Sequence, residues 1–365
     1  MLKILHLARY SHATWAGKLD FLATQPDLAL QHICPAPPGD EQSGAVRPYR
    51  RQVIPIVGHV ADPHRAFYRT LTFSLRHFRP DLIHAEEEPD SLAALQLAIA
   101  RRLWAPRAKL LLFTWQNLPR PRRWYVRAVM QAALQASDGI QCGNMEAATV
   151  LRQMGYQKAI AVIPQVGVDI NTFRPRASPP SPTWTIGYVG RLVAEKGLDT
   201  LVAALAAWSE RANVQLRFVG AGPQCESLQA QAQASGLAER VKFLPPMPAA
   251  AVARFMNSLS VFVLPSRTTR NWKEQFGRVL TEAMACQVPV IGSDSGAIPE
   301  VIGDAGLIFP EGNAAGLAEC LHRLYTSPDL CRELAERGFV RVQQHYTQAH
   351  VAIQTAEFYR QLMTR

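Results

Sequence analysis

The sequence holds no Cys-x-x-Cys pair; its six cysteines, Cys34, Cys142, Cys225, Cys286, Cys320 and Cys331, lie scattered along it. Such spacing argues against a zinc site and against a disulfide framework, and buried thiols are expected instead. No Gly-x-Gly-x-x-Gly follows the first predicted strand, which lowers the case for a nicotinamide or flavin enzyme. Long apolar runs are missing too: the segments around Leu110 and Val261 are soon broken by polar residues or proline, well short of a membrane span. The opening residues, Met1 to Ala8, are too short and too polar-interrupted for a signal peptide, so a cytoplasmic location is expected. No nucleic-acid-binding motif is recognisable, and no nucleic acid partner is expected.

What is present suits a folded chain of two domains. At 365 residues, 48% hydrophobic and 19% charged, it is too long for one ordinary core and too apolar for disorder. The formal charge of +10 is unevenly held: residues 1–180 carry 22 Lys+Arg against 13 Asp+Glu, and residues 181–365 carry 17 against 16. Its densest part is Arg101, Arg102, Arg107 and Lys109, followed by Arg120, Arg122, Arg123 and Arg127. Charge alone does not choose between anionic lipid, a phosphorylated substrate and plain solvated helix faces.

Short β-rich runs alternate with amphipathic stretches from the start. Residues 2–8, 28–33, 52–57, 82–85, 109–114, 139–142 and 159–163 read as strands, with helices over 64–77, 91–103, 123–136 and 145–154. That alternation predicts a Rossmann-like domain over 1–170, a parallel sheet covered on both faces. Residues 171–183, with four prolines between Arg174 and Pro182, read as a linker. Strands at 184–189, 214–219, 241–244, 261–264, 288–291 and 307–309 then predict a second such domain over 184–346, which ends in helices over 314–325 and 328–344. Two such domains joined by a hinge imply a cleft between them, a usual place for a small molecule.

In parallel sheets ligands sit outside the carboxyl ends of the strands, and chemically suggestive residues gather there. Arg9, Tyr10, Ser11, His12, Trp15, Gly17 and Lys18 follow the first strand, Glu86, Glu87 and Glu88 follow residues 82–85, and Trp115, Gln116 and Asn117 follow residues 109–114. In the second half, Gly190 and Arg191 open a turn that closes at Lys196 and Gly197, a pairing of cations suited to a diphosphate. Gly220, Ala221, Gly222 and Pro223 make a turn that lets backbone approach a ligand, and residues 293–300 make one more. Glu274 and Glu282 bracket Phe276, Gly277, Arg278 and Val279 at the start of a predicted helix, where free amides and the dipole favour anions.

These motifs, in this order, together with Val166-Gly167-Val168-Asp169 and Phe173-Arg174-Pro175, resemble the retaining nucleotide-sugar glycosyltransferases of family four. The resemblance implies the GT-B fold, two Rossmann-like domains facing across a cleft, and a metal-independent transferase without a cofactor, whose donor is a nucleotide-diphosphate sugar. It assigns Glu274, Arg191 and Lys196 to catalysis: the cations to the diphosphate, the carboxylate to the sugar hydroxyls. Gly190, Gly220, Gly222, Phe276, Gly277, Arg278, Val279 and Glu282 become donor contacts, with Glu282 on the ribose. The absence of an Asp-x-Asp, which many metal-dependent transferases carry, accords with this.

The first domain departs from the family pattern, having no glycine-rich loop after its first strand and no histidine after residues 109–114. Gly17, Lys18, Glu87, Glu88, Trp115 and Asn117 are its candidate acceptor or sugar contacts. The family also implies that residues 347–365 form a helix crossing back onto this domain. The expected acceptor is a glycan or a lipid-linked glycan in polysaccharide or other glycoconjugate biosynthesis, with peripheral contact between the basic first domain and the inner face of an anionic membrane. Two alternatives stay open: a GT-B-like nucleotide-sugar epimerase, and a non-catalytic sugar-nucleotide-binding subunit.

Overall fold

A computed structural model describes residues 1–9, 13–35, 47–58, 62, 64–176, 183–208 and 213–364, with only the backbone of 13–16. Tyr10, Ser11, His12, the Trp15 side chain and the prolines of the expected linker at 179, 180 and 182 lie outside this description. The chain forms two compact units, residues 1–167 with 348–365, and residues 168–347.

Unit one contains β1 (Leu2–Leu7), α1 (Ala13–Ala23), β2 (Leu28–Cys34), β3 (Arg50–Val53), β4 (Ile56–Val57), β5 (Phe67–Tyr68) and α2 (Thr72–Phe78). There follow β6 (Leu82–Ala85), α3 (Leu92–Trp104), β7 (Lys109–Thr114), α4 (Trp124–Ala136), β8 (Gly139–Cys142), α5 (Met145–Gln153) and β9 (Ala159–Val162). Seven strands make one parallel sheet in the order β3-β2-β1-β6-β7-β8-β9. Its central strands β6, β7 and β8 are apolar and almost wholly buried, as a sheet covered on both faces requires. Helix starts follow local chemistry: the Ser91 hydroxyl accepts from the Ala94 amide at 3.0 Å ahead of α3, and the Asn144 side chain accepts from the Ala147 amide at 2.8 Å ahead of α5.

One expected helix is corrected. Residues 64–77 do not form a single helix, because Phe67 and Tyr68 pair antiparallel with Val57 and Ile56, and only α2 is helical. The Arg69 amide closes that hairpin on the Pro55 carbonyl at 2.8 Å. Tyr68 is fully buried, and its hydroxyl donates to Glu87 at 3.2 Å. A tertiary contact therefore overrides the helical spacing. The expected strand over 52–57 likewise divides, with Ile54 and Pro55 between β3 and β4.

Unit two runs β10 (Trp184–Val189), a 3₁₀ turn over Ala194–Lys196, α6 (Leu198–Ala207), β11 (Val214–Val219), α7 (Cys225–Ala234), β12 (Val241–Leu244) and α8 (Ala249–Met256). It continues with β13 (Val261–Leu264), α9 (Arg278–Ala285), β14 (Val290–Ser293), α10 (Ile298–Ile302), β15 (Gly306–Phe309), α11 (Ala314–Thr326) and α12 (Pro328–His345). Its parallel sheet has the order β12-β11-β10-β13-β14-β15. Renumbered within the unit this is 3-2-1-4-5-6, the dinucleotide-fold order, whose crevice lies where the order reverses, between β10 and β13.

The chain then returns to unit one as α13 (Gln348–Met363), which packs on α1. Val351, Ala352, Phe358, Tyr359 and Leu362 share an apolar cluster with Ile4, Leu22 and Leu82. Tyr359 is fully buried and its hydroxyl bonds the His84 imidazole at 2.7 Å. Among the described residues no helix is long and apolar enough to cross a membrane.

Replacing Tyr359 with Phe leaves a buried imidazole nitrogen without its partner, so the variant should lose about 1–3 kcal/mol in chemical denaturation. Unchanged stability would show that this hydrogen bond contributes nothing to holding α13, which also keeps its apolar contacts and the Arg360–Asp27 ion pair.

Candidate active site

The reversal point of the second sheet is where its charged residues converge. The turn after β10 carries Lys196, and the loop after β13 carries Ser266 and Glu274. The Lys196 ammonium lies 2.6 Å from Glu274 Oε2, to which the Ser266 hydroxyl also donates at 2.8 Å. Lys196 further sits over the Trp272 ring, 4.8 Å from its centre. Glu274 is buried, and Lys196 is partly so. Loss of either charge would leave the other desolvated without its partner, a costly arrangement.

Backbone packing holds this pair in place. The Ala297 amide donates to the Glu274 carbonyl at 3.0 Å, and a Cβ on Gly296 would lie 2.0 Å from that carbonyl oxygen. The turn over residues 293–300 thus clasps the Glu274 main chain, and only glycine allows so close an approach. The two other glycine turns interlock: the Leu192 amide donates to Ala221 and the Gln224 amide to Leu192, at 2.9 and 3.0 Å. A Cβ on Gly220 would meet the Gly190 carbonyl at 1.9 Å. Gly190, Gly220 and Gly222 therefore bring the ends of β10 and β11 together as bare backbone. Arg191 stands outside this packing, its side chain 69% exposed and 3.7 Å from Glu195, so its guanidinium is open to an anion.

Gly277 precedes α9 in the left-handed region, with φ of 75°, and directs the chain from the Glu274 loop into the helix. Gln287, also at positive φ, follows the helix end at Cys286. Phe276 packs edge-on against Tyr346, ring centres 5.6 Å apart, and Val279 packs against the apolar core. Arg278 lies over Glu282 one turn on, at 3.1 Å. Burial pushes the Glu282 carboxyl up to about 7, against the pull of Arg278. Glu282 thus sits on the inner side of the early helix, and its charge there depends on pH.

The candidates of unit one are placed differently. Lys18 is fully buried at that sheet's own reversal point, between β1 and β6, bonded to Glu86 and to the Gln165 carbonyl at 2.7 Å. His6 lies 3.3 Å from the same Glu86 oxygen and 3.1 Å from His32. Burial opposes ionisation of Glu86, yet Lys18 and His6 outweigh it and hold the carboxyl below its usual range. Glu87 is clamped by the Arg9 guanidinium at 2.7 and 2.8 Å and receives the Tyr68 and Ser91 hydroxyls. As acceptor contacts Lys18 and Glu87 would have to give up these partners, since both charges face the interior. A Cβ on Gly17 would collide with Gln348, so this glycine serves the packing of α1 on α13.

Glu88, Trp115 and Asn117 lie at the ends of β6 and β7. Glu88 accepts from the Thr114 hydroxyl and the Trp115 amide at 2.6 and 2.8 Å, and burial pushes its carboxyl up to about 7. The Trp115 indole donates to Gln165 at 2.6 Å and lies over Gly143, while Asn117 donates to Glu146 at 3.1 Å. Ser266 and Trp272 escape a reading of the sequence, whereas Ser295 stands in the turn read over residues 293–300. The only signal for Ser266 is its place after a predicted strand; Ser295 Oγ lies 3.1 Å from the Thr268 hydroxyl. Among the described residues no group of three His, Cys, Asp or Glu could hold a metal ion.

The raised Glu282 carboxyl sets a pH dependence. The folded state holds this proton more tightly than the unfolded chain, whose carboxyl titrates near 4.5. The associated stability is therefore complete below about pH 4.5 and is lost as pH rises through about 7. Relative to the parent, Glu282→Gln should gain stability between pH 5 and pH 8, by no more than about 3 kcal/mol. A difference that stays flat in paired denaturation curves would contradict the assignment.

Residues 169–341 match the family described as glycosyl transferases group 1. The chain is 32% identical over 216 residues to the alpha-maltose-1-phosphate synthase of Mycolicibacterium smegmatis, covering 55% of this chain and 51% of that protein. It is 31% identical over 265 residues to the 2-deoxystreptamine N-acetyl-D-glucosaminyltransferase of Streptomyces fradiae, covering 66% and 62%. The matches thus span about half to three-fifths of these relatives' own lengths. Among solved structures, Anabaena HepE in complex with UDP has the same fold, with a TM-score of 0.76 at 20% identity over 99% of this chain and 100% of that one. Residues 169–341, folded in the 3-2-1-4-5-6 order around Lys196 and Glu274, thus form a domain that matches the group 1 glycosyl transferases, and the two sheets are those of the GT-B fold.

Proposed function

We propose that this protein transfers a sugar from a nucleoside diphosphate donor to an acceptor hydroxyl, with retention of anomeric configuration and without a metal ion. The contact between Lys196 and Glu274 at the reversal point of the second sheet carries the reading. In this reading a cation suited to the diphosphate stands beside a carboxylate that can accept from sugar hydroxyls, at the crevice where that sheet's strand order reverses.

In the reaction, the bond from the anomeric carbon to the phosphate oxygen breaks and its electron pair stays on the diphosphate. Arg191 and Lys196 stabilise the charge that develops there, more strongly in the transition state than in the bound donor. The acceptor oxygen bonds the anomeric carbon from the face the diphosphate leaves, and the departing phosphate takes the acceptor's proton. Glu274, held by Lys196 and Ser266, orients the sugar and stays unmodified. Glu282 binds the ribose, and the Phe276 and Gly277 amides face the donor. Unit one takes the acceptor, a glycan or lipid-linked glycan, near Glu88, Trp115 and Asn117, where a carboxyl titrating near 7 suits hydrogen bonding in either protonation state. The UDP in the HepE neighbour makes uridine diphosphate sugars the first donors to test.

A panel of nucleotide sugars should yield one donor that raises the melting temperature and is hydrolysed slowly without acceptor. With that donor at saturation, Glu274→Ala should lose most turnover and Lys196→Ala about 10²–10³-fold, the usual cost of removing one stabilising donor. Full turnover in either variant would sink the assignment. Conversion of the donor to an isomer in the absence of acceptor would favour an epimerase instead.

Chelating agents should leave turnover unchanged, and proton NMR of the first product formed should show the donor's anomeric configuration. A rate abolished by chelation and restored by a divalent cation, or an inverted product, would overturn those two parts of the mechanism.

A further inference from the structure

Helices α2, α3 and α4 of unit one contain no aspartate or glutamate at all, although they carry Arg76, Arg101, Arg102 and Arg127. All three pack their buried sides into one cluster, through Leu75, Leu97 and Met130, so their outer sides belong to one layer of that unit. That layer exposes large apolar side chains where a solvated face would carry polar ones: Phe73, Ile99, Leu103, Trp124 and Tyr125, with Leu103 63% and Trp124 75% exposed.

Between β5 and α3 the same layer is hollowed into an apolar groove of about 420 Å³, walled by Phe67, Leu71, Leu95, Ile99 and Trp104. Trp104 also walls a second hollow of about 580 Å³ lined by Arg76, Arg79 and Arg107. The two adjoin at that indole, an apolar cleft on one side and three guanidinium groups on the other. Arg101 and Arg122 are held by Asp138 and Asp90, whereas among the described residues no ion pair involves Arg76, Arg79, Arg102 or Arg107. The acid in the second hollow, Asp81, accepts from the Lys3 amide at 2.8 Å.

We propose that the outer face of α2 and α3 is a docking surface for an anionic lipid bilayer, with apolar lipid segments in the groove at Ile99 and Trp104 and lipid phosphates in the arginine hollow. Acyl and glycerol segments match the apolar walls, guanidinium groups match phosphate in geometry and charge, and exposed Trp and Tyr favour the headgroup level. The lack of acidic residues on the three helices removes the repulsion that an anionic surface would otherwise meet. The surface would bring the acceptor-side unit against the layer in which a lipid-linked acceptor resides.

The test is flotation of the full chain with vesicles of phosphatidylcholine alone, and of phosphatidylcholine with phosphatidylglycerol, at low and high salt. Binding is expected only to the mixed vesicles, weakened by salt and reduced on the order of tenfold or more by R76Q/R107Q, since each arginine near the surface counts. I99S/L103S should reduce it comparably. All four side chains are exposed or line open hollows, so unchanged melting curves are expected and confirm folding. Equal binding to both vesicles, full binding by both double variants, or displacement by inorganic phosphate would overturn the proposal. So would a vesicle-free dimer that the same substitutions dissolve, which would assign the face to a second copy of the chain. No nucleotide sugar is present in the assay, so its failure leaves the transfer reaction standing, and failure of the transfer assay leaves this surface standing.

Discussion

A lysine meets a glutamate wherever this chain reverses the winding of a sheet. In unit two the pair is Lys196, in the turn after β10, and Glu274, in the loop after β13; in unit one it is Lys18, inside α1, and Glu86, directly after β6. Parallel strands leave a crevice where connections diverge to opposite faces, and carbonyls and helix starts make it polar. An ion pair there joins the two halves of the sheet. The pairs differ in what surrounds them. Lys18 and Glu86 are sealed beneath Gln165, His6 and His84, so that crevice is filled by the protein itself. Lys196 keeps some access to solvent and Arg191 is exposed, so in the proposed reaction this second crevice is the one open to a ligand's charge.

The rest of unit two serves that retained opening. Three glycine turns remove side chains where strands β10, β11 and β14 end, and each is locked by backbone hydrogen bonds in place of side-chain packing. Glu274 is clasped through its main chain, which frees its carboxylate to be positioned by Lys196 and Ser266. Preorganisation of this kind is established during folding, so in the proposed transfer the site need not reorganise when charge develops on the leaving group.

Much of this arrangement was legible in the residues. Strands in covered parallel sheets are near-continuous apolar runs, so β6 through β8 and β10 through β13 can be read within a residue or so. The glycine turns and the helix from Gly277 to Gln287 are marked by backbone chemistry that few residues satisfy. Burial is what spacing does not convey. Lys18 and Glu87 read as reachable charges on loops and prove to be enclosed, because their partners Glu86 and Arg9 come from strands distant in sequence. The helical pattern over 64–77 failed for the same reason: Tyr68 finds a buried place against Glu87, which local periodicity does not register. Ser266 is one hydroxyl among many until β13 and β10 are set side by side.

The return of α13 to the first unit has a consequence for how the protein is made. A ribosome delivers β1 through β9 first, but the apolar cluster around Ile4, Leu22 and Leu82 lacks Val351, Phe358, Tyr359 and Leu362 until the whole second unit has emerged. The usual order, in which the earliest domain completes first during synthesis, is therefore inverted. The second unit has all its strands contiguous and can close alone. The first must wait, with that sheet face covered by α1 alone among its helices, for α13.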